Sequence, residues 1–164
     1  MAVRAILRWP DPRLRQVCAA VALPVPADVL HLAEDMLETM YAATGRGLAA
    51  PQVGVSARLF VMDATWKAGV FAPQVFFNPK VLWLSDQQIT GPEGCLSLPG
   101  ITADVARAAE VRLGWQDRAG AQHKALFSGF AAICVQHECD HLEGIVTLDH
   151  MTPPARALAE AALQ

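Results

Sequence analysis

Apolar residues recur at helical spacing early in the chain. Leu30, Ala33, Leu37, Met40 and Tyr41 follow Pro26-Ala27-Asp28, a helix start with Asp28 as the expected N-cap. Gly45 and Gly47 break the period, so the pattern predicts a helix over 28–43. Apolar runs of strand length follow at 58–62, 75–77, 81–84, 105–107 and 111–115. Asp117-Arg118-Ala119-Gly120 is a turn, which makes 111–116 and 122–127 a hairpin. Ser128-Gly129 opens a second helix over 129–142, stopped by Gly144. Phe130, Ala131, Ala132, Ile133, Cys134 and Val135 make that helix apolar almost all round, so it should lie buried among sheets. Pro153-Pro154 opens a short last helix. No repeat, low-complexity stretch or linker interrupts the pattern. The expectation is a single domain over 1–164 of class α+β, with small antiparallel sheets packed around a buried central helix, plus an N-terminal helix and a short C-terminal helix.

Composition changes this picture little. With 164 residues, 53% of them hydrophobic, the chain can build a core without disulfides. A net charge of -3 gives no general pull toward nucleic acid or membrane, and neither partner is expected. The first fifteen residues carry Arg4, Arg8, Arg13 and Arg15 but no long apolar core, and Pro10-Asp11-Pro12 breaks them, so they do not read as a leader. A cytoplasmic, reducing setting follows. There Cys18, Cys95, Cys134 and Cys139 are buried, metal-bound or catalytic rather than paired.

The chemistry concentrates in the second helix. His137 and His141 stand at i and i+4 in His137-Glu138-Cys139-Asp140-His141, so both imidazoles leave one face and can grip one ion. Glu138 sits where a carboxylate can take a proton from water on that ion. The bland alternative is a pair of core histidines satisfied by backbone carbonyls. Two His, a Glu and an Asp within five residues of a buried helix argue against it. A catalytic metal needs a third protein ligand. A third His at the usual peptidase spacing would be position 147, which is Thr147; His150 comes three residues late, and Glu160 lies on a helix end close to the last residue. The better candidate is Cys95 in Gly91-Pro92-Glu93-Gly94-Cys95-Leu96-Ser97, since a thiolate is a strong ligand for a borderline or soft metal. Cys18, Cys134 and Cys139 read as packing thiols, with Cys139 leaving the helix about 200° from His137. Asp140 needs a buried partner, and Arg107 is the expected one. A third segment, Gly45 to Gly54, has a bare backbone suited to an extended peptide laid against it, and Gln52 offers an amide that can polarise a carbonyl.

These segments, in this order, resemble the peptide deformylase family. Gly45–Gln52 is similar to its GxGLAAxQ motif, Glu93–Ser97 to EGCLS and His137–His141 to HExDH, and all three are complete. Pro10–Arg15, Glu38–Tyr41, Asn78-Pro79 and Asp117–Gly120 also match, so the likeness covers residues 4 to about 153. The resemblance implies removal of formate from the N-formylmethionine of nascent bacterial proteins. It implies one divalent metal, natively Fe(II) and replaceable by Zn(II) or Ni(II), held by Cys95, His137 and His141. Glu138 is then the base that deprotonates metal-bound water and later protonates the leaving amine. Gln52 and the Leu96 backbone N–H stabilise the oxyanion. Phe130, Ile133 and Cys134 line the methionine pocket. Gly45, Arg46, Gly47, Glu93 and Gly94 hold the peptide as an added strand, and Glu93 also supports the metal ligands.

Some positions depart from the pattern. Leu98-Pro99-Gly100-Ile101-Thr102 lacks the Arg that many members carry near the pocket rim. Position 139, usually aromatic or larger and apolar, is Cys139. The tail from Pro153 carries one Arg and one Glu, where longer basic tails help some members dock on ribosomes. The expectation is a monomer that meets formyl-methionyl peptides mainly by diffusion, with at most weak ribosome contact. The departures would suit a secondary paralogue. A paralogue that binds N-termini without turnover, and a hydrolase of another small amide, are the competing readings.

Overall fold

A computed structural model describes residues 2–164. Helix α1 spans Ala27–Ala42, one residue earlier than the sequence suggests. Pro26 is its N-cap, with no side-chain cap, and Asp28 lies in the first turn instead of at the cap. There its charge still faces the helix dipole favourably. The helix does not end on a glycine. Thr44 takes the left-handed conformation at φ 55, while Gly45 N–H reaches Met40 O at 2.9 Å and Thr44 N–H reaches Tyr41 O at 2.9 Å, the paired bonds of a Schellman motif.

The chain then forms β1 (Gly47–Ala49), β2 (Leu59–Met62), β3 (Gln74–Leu84), β4 (Gln88–Cys95), β5 (Leu98–Ala108), β6 (Glu110–Gln116) and β7 (Gln122–Ser128). Helices α2 (Gly129–Leu142) and α3 (Pro153–Ala162) follow. All strand pairs are antiparallel, in a five-stranded sheet of order β1-β2-β3-β6-β7 and a two-stranded sheet β4-β5. The class is α+β, as the pattern implies. The runs 75–77 and 81–84 are one strand, not two. Asn78 takes φ 48 and the register slips between Phe77 and Lys80, so a bulge absorbs Pro79 without ending the pairing.

The first sheet is covered on both faces. Leu48, Leu59, Val61 and Phe77 pack against Leu32, Ala33, Met36 and Met40 of α1. Their alternating neighbours Ala49, Phe60, Met62 and Phe76 pack against Ala132, Cys134, Val135 and Leu142 of α2. This explains the unbroken Leu-Phe-Val-Met of β2, in which every residue is buried. The β4-β5 hairpin flanks α2 as well. Gln136 clasps Ala108 of β5, accepting its N–H at 3.1 Å and donating to its C=O at 2.9 Å. Helix α2 therefore runs between the two sheets. It stops where Gly144 turns left-handed at φ 72 and Ile145 N–H reaches Asp140 O.

Candidate metal centre

Helix α2 brings His137 and His141 out on one face, with Nε2 atoms 3.2 Å apart. Cys95, at the end of β4, places its Sγ 3.4 Å from His141 Nε2. The three donor atoms lie within 4.8 Å of one another. Tetrahedral bonds of about 2.05 Å to nitrogen and 2.3 Å to sulfur would separate two nitrogens by about 3.3 Å and nitrogen from sulfur by about 3.6 Å. The cluster is already close to that spacing. His137 Nδ1 faces Glu93 Oε1 at 3.0 Å, and a carboxylate there accepts, so Nδ1 carries a proton and Nε2 is the atom turned to the cluster, where a cation would take its lone pair in place of a proton. A sulfur and two imidazole lone pairs converging in this way call for a cation, and the donor set suits a borderline divalent metal.

Electrostatics agree with that. Burial pushes the Cys95 thiol up, but the His141 and His137 imidazoles beside it more than offset this and hold it well below the usual thiol range. Burial alone would lower His137; hydrogen bonds to Cys95 and Glu93 instead raise it well above the usual imidazole value, a measure of the negative charge around the cluster. Burial also pushes Glu138 up to about 7, against the pull of the two histidines. Its Oε2 is buried without a hydrogen-bond partner.

The expected ion pair is present and belongs to a longer chain of contacts. Arg107 donates to Asp140 at 2.7 Å and grips both oxygens of Glu93 at 2.9 Å each. Glu93 holds His137, and His150 Nε2 lies 2.8 Å from Asp140. Burial raises the Glu93 carboxyl, but His137 and Arg107 outweigh it and bring it down to about 2. Glu93 therefore faces His137 with its side chain, and only its backbone is left for a ligand.

Cys95 and His137 form the floor of a cavity of about 530 Å³, with His141 buried beside them. Phe130, Ile133 and Cys134 of α2 line it, as do Gly45, Arg46 and Gly47 on one side and Glu93, Gly94 and Leu96 on the other. Gln52 is 2% exposed. Its Oε1 accepts Ala49 N–H at 2.9 Å, and its Nε2 reaches Ser97 Oγ at 3.1 Å with Cys95 Sγ 3.7 Å away. Gly47 has to be glycine for the walls to meet: a Cβ there would collide with the Glu138 carboxylate and come within 2.8 Å of Cys134 Sγ. Gly91 and Gly94 face open space instead. Gly45 closes the turn with its N–H on Met40 O, and its C=O accepts from the Trp66 indole. Cys139 points away from the cluster, packs in the core and is pushed by burial up to about 12; Cys18 is buried in the same core.

Sequence reasoning missed the support behind this wall. Asp63, fully buried, accepts from Tyr41 Oη at 2.7 Å and from the backbone N–H groups of Thr65 (3.2 Å), Trp66 (3.1 Å) and Ala72 (3.0 Å). This fixes Trp66 on the Gly45 carbonyl at 2.8 Å and places Lys67 at the cavity. An Asp closing an apolar strand, with Thr two residues on, is the local signal that was available.

A Cys/His/His donor set with a buried glutamate beside it defines a class: the mononuclear metal-dependent hydrolases. Comparison with known proteins narrows it. The chain belongs to the polypeptide deformylase family, whose family model matches residues 3–157. A peptide deformylase from Alkalilimnicola ehrlichii is 49% identical over 154 residues, covering 93% of this chain and 84% of that protein. One from Rhizobium meliloti is 43% identical over 152 residues, covering 93% and 87%. The crystal structure of a peptide deformylase from Legionella pneumophila superposes with a TM-score of 0.92 at 38% identity, covering 99% of this chain and 94% of that one. That of the Ehrlichia chaffeensis enzyme in complex with actinonin gives 0.92 at 34%, covering 99% and 96%.

Proposed function

We infer that this chain removes the formyl group from the N-terminal methionine of nascent proteins, releasing formate, with Cys95, His137 and His141 as its metal ligands. The observation that carries the reading is the convergence of three lone-pair donors beside the unpartnered Glu138 carboxylate, on the floor of a peptide-sized cavity. A divalent ion in that cluster acidifies water and polarises a carbonyl at neutral pH.

Each remaining step belongs to the protein. Glu138 takes the proton that the attacking water gives up and returns it to the leaving amine; a carboxyl poised at about 7 suits both directions. The Gln52 amide, held from behind by Ala49 N–H, and the Leu96 N–H, free of the turn and loop hydrogen bonds, stabilise the oxyanion. Phe130, Ile133 and Cys134 receive the methionine side chain. Strand β1 is an edge of its sheet and β4 pairs only with β5, so each brings an unpaired edge to the cavity. An extended peptide can add to Arg46 and Gly47 on one side and to the Glu93-Gly94 backbone on the other. The decisive experiment is formate release from formyl-Met-Ala peptide against acetylated and unblocked controls. Formate from the formyl peptide alone is expected, and none from it would overturn the reading.

Fe(II) is the proposed native metal, with Zn(II) or Ni(II) able to replace it. Elemental analysis of protein purified without oxygen should find iron. We also propose a cytoplasmic monomer that meets its substrate by diffusion. No described helix is long and apolar enough to cross a membrane. Three of the four N-terminal arginines, Arg4, Arg13 and Arg15, are paired with Asp35, Asp11 and Asp149, and the tail's Arg156 with Glu160 and Asp149, so neither segment offers ribosomal RNA a cluster of free cations. Co-sedimentation with ribosomes should be weak and vanish at moderate salt; tight binding lost on removing residues 153–164 would refute this.

A further inference from the structure

The cavity's chemistry lies on its floor, but its charge at the mouth has no role in that chemistry. Arg46 sets its guanidinium over Phe130, with Cζ 3.5 Å from the ring centroid. A guanidinium seated on a ring face is restrained by it and keeps its N–H groups able to donate. Among the described residues, Arg46 takes part in none of the ion pairs that hold Arg4, Arg13, Arg15, Arg58, Arg107, Arg118 and Arg156. The backbone beneath is anchored, with Arg46 O accepting Asp63 N–H at 2.9 Å. Lys67, exposed, lines the same cavity. The two carboxylates of the lining, Glu93 and Glu138, are both buried, and Glu93 is committed to Arg107 and His137. The facing wall, Pro99 to Thr102, is uncharged. The open part of the cavity is therefore cationic.

Resting on the deformylase reading above, we propose that Arg46, stacked on Phe130 and assisted by Lys67, selects substrates that carry a carboxylate one or two residues beyond the formyl-methionine. Phe130 ends the methionine pocket. An extended peptide advances about 3.4 Å per residue, so the next two residues pass beside this stack. A guanidinium matches a carboxylate in two parallel hydrogen bonds, which a neutral isostere cannot reproduce. Two sources offer that group: an acidic side chain, or the free C-terminus of a short formylated peptide.

The test uses the metal-loaded enzyme and formate release from formyl-Met-Ala-X amides with X as Asp, Asn or Lys, and from formyl-Met-Ala-Ser as acid and as amide. The expected order of kcat/KM is Asp over Asn over Lys, with steps of roughly two- to fivefold for a partly exposed pair, carried by KM and not kcat, and narrowing as salt rises. The acid-over-amide ratio for the Ser peptide shows whether a chain terminus is read in the same way. Arg46→Gln should bring the Asp/Asn ratio to about one, Arg46→Lys should keep part of it, and Lys67→Gln should reduce it less than Arg46→Gln. Each ratio is taken within one variant, so partial loss of folded protein cancels. Ratios near one in both wild-type arms, or a ratio unchanged in Arg46→Gln, would overturn the proposal. Absence of formate from every peptide would overturn the deformylase reading and this inference with it.

Discussion

The floor and the mouth of the cavity are each held by carboxylates, but by opposite means. On the floor, Glu93 and Asp140 are met by a cation, Arg107, which ties them to each other and to His137. At the mouth, Asp63 is met only by neutral donors: a phenol, the Thr65 hydroxyl and backbone N–H groups. The floor spends its cation internally and presents a fixed arrangement of ligands. The mouth organises its loop without using a cation, so Arg46 and Lys67 stay available to whatever enters. Chemistry and selectivity are thus built on separate supports, and each can be disturbed alone.

The largest effect should come from the floor itself. Cys95→Ala should lose the metal and with it all turnover, whereas Cys139→Ala should keep both; metal content of the purified variants decides. Full occupancy in Cys95→Ala would remove the cysteine from the ligand set. Next, Glu138→Gln should retain the metal and the fold while kcat falls about 10²–10⁴-fold, the usual contribution of a positioned acid–base group. Turnover close to wild type would exclude Glu138 as the base. Third, Arg107→Met takes the guanidinium from the buried Glu93 and leaves the part-exposed Asp140 with His150 alone, Arg107 itself being 6% exposed. Breaking a buried ion pair from one side costs about 3–5 kcal/mol, so the unfolding free energy from urea titrations should fall by that much. A loss under 1 kcal/mol would mean that the network is ornamental to the floor.

The smallest effect concerns the mouth and depends on pH. Burial raises the Asp63 carboxyl, but the Tyr41 hydroxyl and the N–H groups of Ala72, Thr65 and Trp66 together hold it below its ordinary value of 3.8. A carboxylate lowered in the folded state stabilises the fold above its unfolded pKa and loses that contribution as pH falls through the folded one. Wild-type stability should therefore drop below about pH 4, and more steeply than that of Asp63→Asn. Parallel urea midpoints against pH would show the mouth to be indifferent to its anchor.

The floor was legible in the sequence because it is local: one helical turn sets His137, Glu138 and His141, and the apolar stretch before them marks the helix as buried. The Arg107–Asp140 pair followed from the need of a buried charge for a partner. Strand β4 was not legible. Gly91, Pro92 and Gly94 lower strand propensity, and a two-stranded sheet leaves most of β4 solvated, so no apolar alternation marks it. Strand β3 looked like two because a bulge at Asn78-Pro79 is a tertiary solution to a local break. The mouth was hidden for the same reason: Asp63 gains its meaning only when Tyr41 and Ala72 fold back onto it.

The unpaired edges of β1 and β4 have a cost that the fold contains. An open strand edge invites pairing with any other chain, and exposed edges are a common start of aggregation. Here β1 is three residues long and set at the cavity wall, and the edge of β4 that meets it ends in the turn at Leu96. The slot between them is short and walled by α2 below, so it suits one thin strand and offers no run long enough for a second sheet to stack on. The same recess that presents the backbone to a nascent N-terminus leaves little room there for the edge of a second sheet.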